Sequence, residues 1–132
     1  AVIARVPLAS GLLSGKFDAG TQFEANDHRR FNRNGEAFDV GETFAGVPYE
    51  IGLAAVEKLR PLVPGGTTLA QLALRWILID EAVSVVIPGA RNRQQALANI
   101  AAAGLPALDD ARMAAMRAIY DADIRSYVHQ RW

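Results

Sequence analysis

The residues best placed to do chemistry stand in Ser84-Val85-Val86-Ile87-Pro88-Gly89-Ala90-Arg91-Asn92. This segment reads as a short buried strand that delivers its end onto a helix N-terminus. The first N–H groups of a helix have no intrahelical acceptor, and the helix dipole favours an anion there. Arg91 and Arg93 add positive charge at the same place, so the turn from Gly89 to Gln95 suits a phosphate-bearing cofactor. The same residues also suit a plain strand-to-helix turn with two solvated arginines. Asn99, seven residues past Asn92, lies near the same helix face and is either a reach-back ligand or an ordinary surface amide.

A second candidate is Ser10-Gly11-Leu12-Leu13-Ser14-Gly15-Lys16. A phosphate-binding P-loop needs four residues between its glycines and a Ser or Thr after the Lys. Here three intervene and Phe17 follows, which excludes that reading. What remains is open backbone after a strand end, with Lys16 able to supply charge. His28 and His129 have no second ligand at metal spacing and read as loop and surface residues. Tyr49, Tyr120 and Tyr127 read as packing anchors with a wet hydroxyl. Asp109-Asp110 reads as helix-start charge.

The totals narrow the classes. The chain of 132 residues is 51% hydrophobic, enough to bury a core. Fourteen Lys and Arg balance fourteen Asp and Glu, so no overall field favours nucleic acid or an anionic membrane, and any anion site is local. With no cysteine, disulfides, thiolate metal sites and a cysteine nucleophile are excluded. Ala1-Val2-Ile3-Ala4-Arg5-Val6 is too short and too interrupted for a signal peptide or a membrane span. A cytoplasmic protein is the expectation, although the chain starts abruptly within a strand and without an initiator Met.

Positioning these residues takes strands and helices in alternation. Ala1 to Val6 forms a β-branched strand, parallel or central, stopped by Pro7. From Pro7 to about Val47 no helical period persists, and a loop this long in a compact domain implies a job. Ile51, Ala54, Ala55, Val56 and Leu59 repeat at helical spacing over 48–60. Thr68 and Gln71 have capping-box spacing ahead of a more buried helix running to about Ile79. Val83 to Ile87 is β-branched and ends at Pro88-Gly89. Asn92 and Gln95 open another capping box for a helix reaching Gly104, and a last helix from about Asp109 precedes a tail over 127–132. The order strand, long loop, two helices, strand, two helices is α/β with parallel strands joined by crossovers. Two strands are too few for a covered sheet.

In this order the chain resembles the C-terminal part of the aldo/keto reductases, an eight-stranded (β/α) barrel family using NADP(H). Pro7-Leu8-Ala9-Ser10-Gly11-Leu12-Leu13-Ser14-Gly15-Lys16 looks like the family's seventh strand end and cofactor-covering loop. Leu72-Ala73-Leu74-Arg75-Trp76 looks like the helix before the eighth strand, and Ile87-Pro88-Gly89-Ala90-Arg91-Asn92 with Gln95 and Asn99 like the eighth strand and adenosine-phosphate site. Val128-His129-Gln130-Arg131-Trp132 is similar to the end of a bacterial branch. The resemblance implies one partial TIM-barrel domain over 1–132, about two βα units plus extra helices, with the covering loop at 8–47 and the phosphate-binding unit at 84–104. It implies a cofactor site drawn from Arg5, Pro7, Leu8, Ser10, Gly11, Leu12, Lys16, Ile87, Gly89, Ala90, Arg91, Gln95 and Asn99. Backbone around Leu8, Ser10, Gly11 and Leu12 would hold the pyrophosphate, Arg91 and Gln95 the 2′-phosphate, and Asn99 the adenine. Arg5 stands where many members carry an aromatic residue that stacks on the nicotinamide.

The family's Asp, Tyr, Lys and His tetrad lies on earlier strands, and none of Tyr49, Tyr120, Tyr127, Lys58, His28 or His129 matches its positions. The expectation is therefore cofactor grip without catalysis or metal, as part of an enzyme reducing a small-molecule carbonyl. A non-catalytic NADP-binding or oligomerising module is the rival reading, since open strand edges can pair with another copy.

Overall fold

The computed structural model describes residues 1–131. Its sheet has two parallel strands, β1 (Val2–Arg5) and β2 (Val83–Ile87), as the sequence order requires. Ile3 pairs with Val85, Ala4 with Val86 and Arg5 with Ile87, and an irregularity follows Val2, which pairs with Val83. Parallel strands run out of the sheet at the same end. The turn after Arg5 and the turn after Ile87 therefore share one edge.

Neither strand is buried, contrary to expectation. Ile3 is 61% and Ile87 57% exposed, and Val2 and Val85 are also open. No layer of the described residues covers these side chains, so strand composition records a burial that this length of chain does not supply. The core lies instead between α2 (Tyr49–Leu59), α3 (Leu69–Ile77) and the turn at Leu12, around Leu12, Phe44, Tyr49, Val56, Leu69 and Leu72. The reciprocal capping box of Thr68 and Gln71 starts α3 as read from the sequence. Its apolar stripe buries Leu69, Leu72 and Ala73, while Trp76 stays 43% exposed.

Segment 8–47 is not without structure. It holds 3₁₀ turns and one short helix, α1 (His28–Phe31), begun by Asp27, whose side chain accepts from the Arg29 N–H. Fully buried Asn32 donates to Thr43 Oγ1 at 3.1 Å and accepts the N–H groups of Ala37 and Phe38 at 2.9 and 2.8 Å. Phe17, Phe23, Phe44 and Tyr49 pack ring on ring, with Phe44 and Tyr49 centroids 5.0 Å apart. Tyr49 is buried and its hydroxyl donates to Asp18 O at 2.8 Å, so it is not the wet anchor that its place at a helix end suggested. One amide and four rings thus replace the missing helical period.

Past β2, α4 (Arg93–Ala101) is followed by α5 (Asp110–Ile119), capped by Asp109. The expected tail is helical: a wide π turn at Tyr120–Ile124 leads into α6 (Arg125–Val128) and a 3₁₀ turn at His129–Arg131. Lys58 of α2 holds Asp123 at 2.7 Å, Val128 is buried, and Arg131 bonds Asp39 at 2.8 Å, which together dock this end onto the core. Trp132 lies outside the described residues.

Gly52 of α2 lets Leu12 into the core, since a Cβ there would stand 2.4 Å from Leu12 Cδ2. Overpacking of this kind costs about 1–3 kcal/mol. Gly52→Ala is expected to lower stability by about that amount in urea denaturation and to shift the amide signals of residues 10–13; a variant as stable as the parent would contradict this packing.

Candidate functional site

The candidate site forms along the shared strand edge, from the turn after β1 and the turn into α4. In the first turn Val6, Ala9 and Ser10 have φ of 51°, 46° and 56°, and Gly11 has 90°. Left-handed backbone is unfavourable for residues with a Cβ and persists where surrounding contacts fix it. Ser10 is fixed on several sides. Its hydroxyl accepts the Phe44 N–H at 3.1 Å, and its carbonyl accepts from Arg29 Nη1 at 3.3 Å. Leu12, next along, is buried in the core.

This conformation decides which backbone donors are open. The Gly11 N–H bonds Leu8 O at 2.9 Å and the Leu12 N–H bonds Ala9 O at 3.1 Å, so both are used by the turn. The N–H groups of Leu8 and Ser10 donate to no acceptor among the described residues, and Pro7 has none to donate. Lys16 is exposed, and its side chain makes no ion pair among the described residues.

At the second turn Asn92 caps α4 by accepting the Gln95 N–H at 2.9 Å. The expected capping box is only half formed, because Gln95 Oε1 accepts the Arg91 N–H at 2.8 Å rather than that of Asn92. Asn99 Nδ2 donates to Gly89 O at 3.2 Å, so Asn99 does reach back to the turn. Gln95 and Asn99 brace the turn, and the N–H groups of Arg93 and Gln94 and the exposed Arg91 guanidinium remain open among the described residues. Gly89 and Ala90 are exposed, and nothing stands within 4 Å of a Cβ placed on Gly89.

Arg5, the last residue of β1, holds Glu42 through a fork with both distances at 3.2 Å. The hydrogen bonds and charge of each partner raise the Arg5 pKa and lower that of Glu42. The fork ties segment 8–47 to the strand edge. Glu42 and Arg29 carry no signal in the sequence, because their partners Arg5 and Ser10 lie 37 and 19 residues away. Asp27, whose partners are its neighbours His28 and Arg29, stands at helix-cap spacing that could have been read.

Asp27, His28 and Ser10 approach one another without forming a nucleophilic triad. His28 Nε2 is 3.4 Å from Ser10 Oγ, and His28 Nδ1 is 3.7 Å from Asp27. The second distance is beyond a hydrogen bond and the first is at its limit. Asp27 is bound on both oxygens by Arg29, whose guanidinium also lies 4.6 Å over the Phe23 ring. No group of three or more His, Cys, Asp or Glu among the described residues is arranged to hold a metal ion. No helix among them is long and apolar enough to cross a membrane.

The profile of the Aldo/keto reductase family matches residues 1–121. The chain is 34% identical over 101 residues to an L-glyceraldehyde 3-phosphate reductase of Escherichia coli O157:H7, covering 76% of this chain and 28% of that protein. It is 32% identical over 102 residues to a probable voltage-gated potassium channel subunit beta of Arabidopsis thaliana, covering 73% and 27%. A glycerol dehydrogenase of Gluconobacter oxydans is similar in structure, with TM-score 0.71 and 25% identity over 94% of this chain and 35% of that one. The chain belongs to the aldo/keto reductase family, a family of oxidoreductases, and spans between a quarter and about a third of the length of these relatives.

The Asp27 hydrogen bonds to Arg29 hold its carboxyl at about 2, against an ordinary 3.8. A depressed carboxylate stabilises fully above its unfolded pKa, and that stabilisation is lost as pH falls through the folded value. The parent chain should therefore lose more stability than Asp27→Asn between pH 5 and about pH 2, read as urea midpoints; equal losses would contradict this role for the pair.

Proposed function

We propose that this chain forms the C-terminal portion of an aldo/keto reductase (β/α)8 barrel and grips the phosphate-bearing part of NADP(H). The observation that carries this reading is the pair of turns at one sheet edge, each with open N–H groups. Barrel enzymes gather ligands at the C-terminal ends of their strands, and N–H groups at a helix start suit an anion. The donor set fits a dinucleotide phosphate. Leu8 and Ser10 would supply N–H groups for the pyrophosphate, while Arg91 with the Arg93 and Gln94 N–H groups would hold the 2′-phosphate. Gln95 and Asn99 hold the second turn in shape, which extends the roles expected of them as ligands.

Segment 8–47, latched by Arg5 and Glu42 and stiffened by Asn32, is the cofactor-covering loop in this reading, and residues 84–104 form the phosphate-binding unit. Arg5 is exposed and held by Glu42 through two parallel contacts, and a planar guanidinium can stack on a flat ring. The bound nicotinamide supplies hydride to or from a carbonyl compound in a complete enzyme. Residues 1–132 bind and orient the cofactor. The Asp, Tyr, Lys and His that would polarise and protonate a carbonyl belong to strands beyond this length of chain. The relative named for L-glyceraldehyde 3-phosphate makes a small aldehyde a reasonable substrate class.

A second reading, self-association through the strand edges, is supported by the exposure of Val2, Ile3, Val85 and Ile87. Fluorescence titration distinguishes the two. NADPH is expected to bind more tightly than NADH, and Arg91→Ala to weaken NADPH roughly 10-fold, about 1.4 kcal/mol, while leaving NADH little changed. With a reactive aldehyde the chain should oxidise NADPH no faster than a protein-free control. A chain that dimerises yet binds neither cofactor would favour the second reading, and turnover above control would contradict the assignment of catalysis to other strands.

A further inference from the structure

A cleft opens within segment 8–47, and none of the residues of the strand-edge turns lines it. Its volume is about 420 Å³, and Gln22, Phe23, Arg30, Arg33, Asn34 and Glu36 are among its lining residues. That size lies within the range of small-molecule sites, roughly 300–1,000 Å³. No carboxylate oxygen of the described residues stands within 4.0 Å of Arg30 or Arg33, whereas Arg5, Arg29, Arg60, Arg112, Arg125 and Arg131 each hold one.

Arg33 is held in place without being neutralised. Its Nε donates to Arg29 O at 3.2 Å, and its guanidinium lies 4.6 Å from the Tyr49 ring centroid and 5.7 Å from that of Phe23. Both terminal nitrogens remain without a hydrogen-bond partner among the described residues. A guanidinium fixed this way loses little freedom on binding an oxyanion bidentately. Glu36 is the one acid in the lining, and its two oxygens accept the Asn34 N–H and Nδ2 at 2.8 Å each. The cleft thus carries two unpaired positive charges against one hydrogen-bonded negative charge, with the Phe23 ring as an apolar wall.

We infer that this cleft binds a small organic phosphomonoester, its phosphate between Arg30 and Arg33 and its apolar part against Phe23. Two arginines match a dianion, and a carboxylate offers them half the charge. The site is separate from the dinucleotide turns. Phe23 and Arg29 stand between it and Ser10, since Arg29 touches the Phe23 ring on one side and the Ser10 carbonyl on the other.

The test is an amide NMR titration of the full chain, without dinucleotide, using phenyl phosphate, benzoate, phenol and inorganic phosphate. Phenyl phosphate should saturate with shifts centred on residues 21–23 and 30–36, benzoate should bind more weakly, and phenol should leave those signals unmoved. Arg30→Gln, at an exposed position that leaves the fold intact, and Arg33→Gln should each weaken phenyl phosphate roughly 10-fold, and Glu36→Gln should tighten it. Shifts centred on residues 89–95, equal binding of phenol, or an affinity unchanged by Arg30→Gln would overturn the proposal. Failure of NADPH to bind would leave this result standing and count only against the cofactor reading.

Discussion

Arg5 lies beside Ile87 in a parallel pair, and that pairing determines where both dinucleotide-facing turns end up. An antiparallel pair would send the two strand ends to opposite edges. Parallel strands instead bring Leu8 and Ser10 to the same edge as Arg91 and the start of α4, although about eighty residues separate them in the chain. The cost is a crossover connection, which α2 and α3 supply, and their packing on Leu12 provides the core that the exposed strands do not.

Leu12 links that core to the site. It fills the space left by Gly52 and stands two residues from Ser10, whose left-handed backbone is held by Phe44 and Arg29. Strain of this kind costs of order 1–3 kcal/mol per residue and persists only where neighbours over-determine it. Here the neighbours come from segment 8–47, itself ordered by Asn32 and by the stacked rings around Phe23. The open N–H groups are therefore positioned before any ligand arrives, which reduces the ordering that binding must impose.

What could be read from the sequence follows from how local its causes are. The Thr68 and Asn92 caps, the Asp109 helix start and the Val83–Ile87 strand depend on neighbours within a few residues, and they formed where the spacing placed them. Strand burial was misjudged because β-branched composition reflects the environment a strand evolved for, and that environment is not among the described residues. The order within segment 8–47 was hidden because a buried amide and four scattered aromatic residues have no period. Arg5–Glu42 joins residues 37 apart, and no spacing rule connects them. The helical turns within 127–131 give no helical signal in the sequence because a π turn at Tyr120–Ile124 interrupts the 3.6-residue repeat ahead of them.

The central claim is that the two turns act as one binding edge for a phosphate-bearing dinucleotide. Its most direct measurement is an amide NMR titration of the chain with NADP⁺. The account requires residues 8 and 10 and residues 91–95 to shift together, along one binding curve with a single dissociation constant. Shifts at one turn only, or two curves with different constants, would contradict it.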